Sequence, residues 1–343
     1  MAITVRSFAK INLGLRIGPL RPDGFHELRT VYQTIALHDI IHVQVGRGSG
    51  IEIRSEDPRV PKDKSNTCYR IVQLAMPALQ ARGRVIIEIE KRLPVQGGLG
   101  GASANAVATL LALERALKKT LPAHERLRIA SEVGSDLPLF LIGGTILGIG
   151  HGEEVYPLPD LPAIPCVIAT PDIGISTPKA FADWDALAGG SRAHISSADS
   201  KLTLPPASDR ISEFGHVLSA WLGGLSQSQS KQDKSGRASS GVPVSKGRGR
   251  AETPLLDLVR TGIENDFERV VFPKYPELRE VKRVLERAGA AYASLSGSGS
   301  AIYGLFASRD AAVKAASRLR ADVTPAVATA TLTRRQYWNQ IFD

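Results

Sequence analysis

Two cysteines in 343 residues, Cys68 and Cys166, lie far apart and form neither a CxxC pair nor a metal-ligand spacing. Thiols used this sparingly fit a reducing compartment, and both are expected as small core residues. Long hydrophobic runs are also missing. The longest uncharged apolar stretch, Leu137 to Gly150, is 14 residues with four glycines and a proline, whereas a helical membrane span needs about 20. The start, Met1-Ala2-Ile3-Thr4-Val5-Arg6, alternates polar with apolar residues instead of leading into a continuous apolar block, so no signal peptide is expected. No internal repeat is present. These absences predict a soluble, cytoplasmic protein with no membrane partner, and 43% hydrophobic with 22% charged residues is an ordinary globular composition.

The chain is long enough for two domains. Its net charge of +9 invites a nucleic-acid reading, but the excess is local. Ser226 to Arg250 holds Lys231, Lys234, Arg237, Lys246, Arg248 and Arg250 against Asp233, a net +5 that leaves +4 for everything else. There is no basic stripe with interleaved aromatics, so no nucleic-acid partner is expected. The same Ser/Gly-rich stretch cannot bury enough surface to offset the entropy of ordering it, and it reads as a disordered insertion.

Alternation of Ile3, Val5, Ala9, Ile11, Leu13, Leu15 and Ile17 with Arg6, Lys10, Asn12 and Arg16 predicts a half-buried strand, with Lys10 and Asn12 on the face opposite the core. Further strands are expected at Ile40 to Val45, Ile51 to Arg54 and Val85 to Glu90. Helices are expected at Asn66 to Arg82, Ala102 to Lys119 and Pro122 to Val133, the last stopping at Gly134. The texture changes at Pro157 to Pro165, which places a domain boundary near residue 160. Beyond it, helical patterns run over Arg210 to Leu222 and Pro276 to Ala288, then strand and helix signals from Tyr292 to Leu332.

Three motifs carry chemistry. Pro94-Val95-Gln96-Gly97-Gly98-Leu99-Gly100-Gly101-Ala102-Ser103-Ala104 is a glycine-rich loop between a strand and a helix. Glycines let successive N–H groups converge on an anion, and the helix N-terminus adds partial positive charge, so the loop suits a triphosphate. No Gly-Lys-Ser/Thr follows, which excludes a Walker A loop, and the last glycine of a Rossmann fingerprint is absent. The second motif joins Lys10 and Asn12 to Arg21-Pro22-Asp23-Gly24-Phe25-His26, where an ammonium and an amide could orient a hydroxyl and two flat rings could stack on a base. The third is Gly134-Ser135-Asp136-Leu137-Pro138. Asp136 is either the N-cap of a following helix or a general base for a phosphoryl acceptor. Another glycine cluster, Leu295-Ser296-Gly297-Ser298-Gly299-Ser300, is on local chemistry alone a hairpin-like turn as easily as a site.

In this order the motifs resemble the GHMP kinases. Ala9-Lys10-Ile11-Asn12-Leu13, Arg21 to Leu28 and Lys91 to Pro94 resemble the branch of that family acting on a cytidine-diphosphate-linked polyol. The resemblance covers residues 3 to about 187 and resumes from about 254. It implies an α+β fold of two domains, a ribosomal-S5-domain-2-like one over 1–160 and a ferredoxin-like one over 161–343; the insertion at about 188–253, expected to be disordered, is not a feature of the family. It also implies ATP with Mg2+ as cofactors, and transfer of phosphate to the 2-hydroxyl of 4-diphosphocytidyl-2-C-methyl-D-erythritol in non-mevalonate isoprenoid synthesis. Matched residue by residue, Lys10 and Asp136 are the catalytic pair and Pro94 to Ala104 the ATP loop. Gly297 to Gly299 is the third motif, and Asn12, Phe25, His26, Thr177 and Phe181 are substrate-binding. Homoserine or mevalonate kinases of the same family are the rival reading, and an RNA-binding S5-like module is a remoter one. Several positions depart from the pattern: Gln96 and Ala102 stand for glycines, Ala104 for serine, Phe25 for tyrosine and Ser135 for alanine. Gln96 is expected in an ordinary dihedral.

Overall fold

A computed structural model describes residues 2–95, 97–193, 207–233, 259, 263–321 and 324–342. Gln96 and its expected dihedral lie outside them, as do residues 234–250 of the basic stretch.

The first sheet contains β1 (Ile3–Leu20), β2 (His26–Gly46), β3 (Ile51–Arg54), β4 (Arg84–Glu90), β5 (Thr145–Ile149) and β6 (Glu154–Pro157). β2 is its backbone: 21 residues pair antiparallel with β1 along their length, with β4 at one end and with β5 at the other. Alternation around Ile40 to Val45 revealed only the last third of this strand, because Thr30 to Ile35 are covered on both faces and carry no period-2 pattern. α1 (Thr67–Ala78), α2 (Gly101–Leu117), α3 (Ala123–Val133) and the short α4 (Leu137–Phe140) pack on this sheet. Asn66 caps α1 through a bond from Cys68 N, and Pro77 lies in its last turn, so the helix stops four residues before Arg82.

The second sheet is four-stranded, ordered β10 (Ala326–Ala330), β7 (Pro165–Ala169), β9 (Ile302–Leu305) and β8 (Tyr292–Leu295), with every neighbouring pair antiparallel. With α7 (Glu268–Lys274), α8 (Pro276–Arg287) and α9 (Arg309–Ala321) this is the split β-α-β arrangement of a ferredoxin-like unit. α5 (Thr177–Ala193) and α6 (Ala207–Asp233) intervene after β7, and α10 (Arg334–Gln340) returns to the first sheet, where Tyr337 donates to the Phe140 carbonyl at 2.6 Å.

Two expectations are corrected here. β1 is not half-buried: a register shift between Phe8 and Lys10 breaks the alternation. Val5 and Phe8 pack with the helices of the first sheet, Ala9, Ile11 and Leu13 pack toward the second, and Leu15 and Ile17 enter the core of the second. Lys10 is consequently 3% exposed. Nor are the described residues of 188–253, which are 188–193 and 207–233, structureless. α5 extends to Ala193 and α6 covers 207–233, with Phe214, Leu218 and Trp221 buried beside Ala9 and Ile11. Arg210 and Arg16 both bond the buried carboxylate of Asp266, at 2.5 and 3.0 Å. Cys68 and Cys166 are buried core residues, and burial pushes the Cys68 thiol up to about 12. Among the described residues, no helix is long and apolar enough to cross a membrane.

Candidate active site

The glycine-rich loop is pinned by a residue that motif reading missed. Asp39, on β2 and fully buried, accepts from Lys91 Nζ at 2.5 Å, Arg92 N at 2.7 Å, Leu93 N at 2.8 Å and Asn105 Nδ2 at 2.9 Å. One carboxylate thus ties the loop's lead-in to the first turns of α2. A lone acid in Ile35-Ala36-Leu37-His38-Asp39-Ile40-Ile41 was the available signal, since a charge in an apolar run must find partners.

Gly98 and Gly100 sit at φ +75° and +70°, a region glycine adopts freely. Gly100 caps α2 with no side-chain bond, so the first N–H groups of the helix are left for a ligand. The turn at Gly297 closes the loop from outside: Ser296 Oγ donates to Gly98 O at 3.0 Å, and Ala301 N donates to Gly97 O at 3.0 Å. Sequence chemistry left this cluster open between a turn and a site; in the fold it is a turn that buttresses the loop.

Lys10 meets the loop through its backbone N, which donates to Leu99 O at 3.0 Å. Its Nζ donates to Asn12 Oδ1 at 2.6 Å and lies 3.6 Å from Asp136 Oδ2. Asn12 Nδ2 in turn donates to Thr30 Oγ1 at 2.8 Å. Asp136 stands at the N-cap position of α4 but makes no side-chain cap bond. The capping alternative therefore fails, and the carboxylate turns to Lys10 and to the Tyr32 hydroxyl, which donates to Oδ1 at 3.0 Å. Burial pushes the Lys10 ammonium below its usual range, and the charge of Asp136 partly offsets that.

Two cavities flank this pair. One, of about 310 Å³, runs along Pro94, Val95, Gly97, Leu99, Gly101 and Ala102 toward Arg59 and Asn66. The other, of about 680 Å³, is lined by Lys10, Asn12, Asp136, Thr177 and the rings of Phe25, His26 and Phe181. Gly98, Gly100 and Ser103 line both. Ala104 lines neither: it is buried in α2, with its N bonded to Gly100 O, so it takes no side-chain part in the loop.

In the larger cavity His26 and Phe181 stack at 5.6 Å with planes 7° apart, and Phe267 supports Phe181 edge-on at 5.0 Å. The carbonyl of Gly18, 3.0 Å from His26 Nδ1, can only accept, so Nδ1 carries the proton. Nε2 is then buried without a hydrogen bond. Asp185 Oδ1 lies 2.9 Å from it, at an ion-pair distance. Thr177 Oγ1 shares a hydrogen bond of 2.8 Å with Ser298 Oγ. Phe25, 61% exposed on the β1–β2 hairpin, leans on His151 at 4.7 Å, and His151 Nε2 is 3.1 Å from Asp23 Oδ2. His151 and Tyr32 were also missed; neither belongs to a motif, and only the fold brings them here.

The GHMP kinases N terminal domain pattern matches residues 66–144 and the GHMP kinases C terminal pattern residues 252–324. The 4-diphosphocytidyl-2-C-methyl-D-erythritol kinase of Solibacter usitatus is 36% identical over 337 residues, 98% of this chain and 92% of that protein. A crystal structure of 4-(cytidine 5'-diphospho)-2C-methyl-D-erythritol kinase superposes with a TM-score of 0.68 at 29% identity, covering 96% of this chain and 98% of that one. A homoserine kinase from Cytophaga hutchinsonii, at 21% identity and TM-score 0.63 over 97% and 95% of the two chains, shares the fold alone. At this identity, over nearly the whole of both chains and with both domain patterns matched, the chain belongs to the 4-diphosphocytidyl-2-C-methyl-D-erythritol kinase family of GHMP kinases.

Proposed function

We propose that the protein transfers the γ-phosphoryl group of ATP to the 2-hydroxyl of 4-diphosphocytidyl-2-C-methyl-D-erythritol, a step of non-mevalonate isoprenoid synthesis. The observation that carries this reading is the place of Lys10 and Asp136, 3.6 Å apart where two cavities share Gly98, Gly100 and Ser103. A donor nucleotide in the smaller cavity and an acceptor in the larger would meet at that junction.

In a loose phosphoryl transition state, positioning and charge stabilisation dominate. The loop N–H groups and the α2 N-terminus hold the phosphates, and Gly98 and Gly100 let the backbone approach them closely. Asp136 accepts the hydroxyl proton, and the Lys10 ammonium stabilises charge as it develops. Phe25, His26 and Phe181, whose rings line the larger cavity, bind the cytosine. Asn12 and Thr177 contact the substrate's phosphates and sugar.

Mg2+ fits this donor set. Such an ion keeps several waters and is held by one or two protein oxygens plus substrate phosphates, and no cluster of three His, Cys, Asp or Glu exists among the described residues. Ser103, which lines both cavities, would hold it together with the substrate's phosphates. Bound there, it would neutralise phosphate charge.

Incubation with ATP and, separately, the cytidylyl substrate, homoserine and mevalonate tests the reading. Phosphate should pass only to the first. Transfer to homoserine or mevalonate instead would overturn it. Asp136→Asn should lower turnover by orders of magnitude with the KM for ATP little changed; wild-type turnover in that variant removes Asp136 from the chemistry.

A further inference from the structure

We propose that Tyr32 is a positioning residue for phosphoryl transfer, its hydroxyl holding the Asp136 carboxylate in the orientation that receives the substrate's hydroxyl proton. The inference rests on Asp136 being the proton acceptor.

Tyr32 lies on β2 directly opposite Asn12 of β1, is 2% exposed, and donates to Asp136 Oδ1 at 3.0 Å. The other carboxylate oxygen, Oδ2, faces Lys10 Nζ, whose ammonium is also 5.5 Å from the centre of the Tyr32 ring. Asp136 heads a helix of four residues and makes no cap bond to it. Its own segment therefore does not orient the carboxylate; two side chains from the first sheet do, one at each oxygen. Each carboxylate oxygen has two acceptor sites, so Oδ1 retains one for a substrate hydroxyl.

The slot around the ring is shaped for this residue. A Cβ on Gly148 would lie 2.5 Å from Tyr32 Cε2, and one on Gly152 would lie 2.4 Å from its hydroxyl oxygen. Two glycines of the β5–β6 hairpin thus make room for the ring and for the hydroxyl respectively. Burial, together with the charge of Asp136, pushes the phenol well above its usual range. Tyr32 therefore remains a donor and does not compete as the base.

In the step it serves, the substrate oxygen forms a bond to the γ-phosphorus as the bond to the β,γ-bridging oxygen breaks. That electron pair leaves with ADP, and the hydroxyl proton passes to Asp136. Tyr32 exchanges nothing. It contributes by limiting the rotation of the accepting oxygen, where small misplacement is costly.

Tyr32→Phe keeps the ring in its slot and deletes only the hydroxyl. A hydrogen bond to a charged group sets the expected scale: kcat falls roughly ten- to a hundredfold. Both KM values should stay within about twofold, and Tm within about 2 °C. A residue that merely supports the fold would move KM and Tm together. Single-turnover transfer from radiolabelled ATP then measures Tyr32→Phe in an Asp136→Asn background, where the second change should cost nothing further. Wild-type kcat in Tyr32→Phe, or an equal loss in both backgrounds, overturns the proposal. If Asp136→Asn alone retains full turnover, the underlying reading of the aspartate fails, and Tyr32 fails with it. If Asp136→Asn is impaired and Tyr32→Phe is not, Tyr32 alone is refuted.

Discussion

Replacing Gly98 by alanine tests the architecture of the phosphate loop with one methyl group. At φ +75° a Cβ is strained by about 1–2 kcal/mol, but the larger cost is steric. The new atom would lie 2.1 Å from the carbonyl oxygen of Ser296, and real Cβ contacts essentially never fall under 3.0 Å, so that backbone must retreat by about 0.9 Å. It cannot do so freely. Ser296 Oγ bonds Gly98 O, and Asn265 Nδ2 holds both the Leu295 and Gly297 carbonyls at 2.8 Å. The displacement therefore falls on the loop and on Gly297, where an added Cβ would lie 3.5 Å from Lys10 Nζ. A shift near 1 Å at reacting groups costs about a hundredfold, so kcat/KM for ATP should fall by about that factor. Steady-state ADP release measures it, with Gly174→Ala as the control, since a Cβ there meets nothing within 4 Å. Unchanged kcat/KM in Gly98→Ala would refute the claim that loop and turn form one rigid cradle.

The remaining predictions concern charge and support. Because burial lowers the Lys10 pKa from its usual 10.5, its ammonium is lost as pH rises toward that value, so kcat should decline on the alkaline side below pH 10.5; a flat profile to that pH would show that its charge is not needed. The sign for stability is opposite: the unfolded chain holds this proton more tightly, so this group's contribution to stability rises with pH through the same window. Asp39→Ala should destabilise by about 3–5 kcal/mol in urea unfolding, because it strands the buried Lys91 ammonium and two backbone N–H groups. His151→Ala removes the ring behind Phe25 and should raise the KM for the cytidylyl substrate several-fold, by an aromatic pair's worth of about 1 kcal/mol, with the KM for ATP unchanged.

What the sequence determined by itself was local. Glycines at 98 and 100 announce a left-handed backbone, an interrupted apolar run sets off Asp136 from its surroundings, and helical spacing marks α2 and α8 nearly to the residue. These features depend on neighbours a few positions away, which is the range over which side-chain periodicity and dihedral preference act. Tertiary structure decided the rest. Alternation made Lys10 a surface charge, because no local pattern reveals that the glycine loop, the Gly297 turn and Asp136 will close over its face of β1. Ser296 supports Gly98 across 198 residues, Tyr32 orients Asp136 across 104, and Arg210 of α6 reaches Asp266 across 56. Buried polar groups must be paired wherever the fold sets them down, and which partners they find depends on how the two sheets pack, a fact that no stretch of neighbouring residues contains.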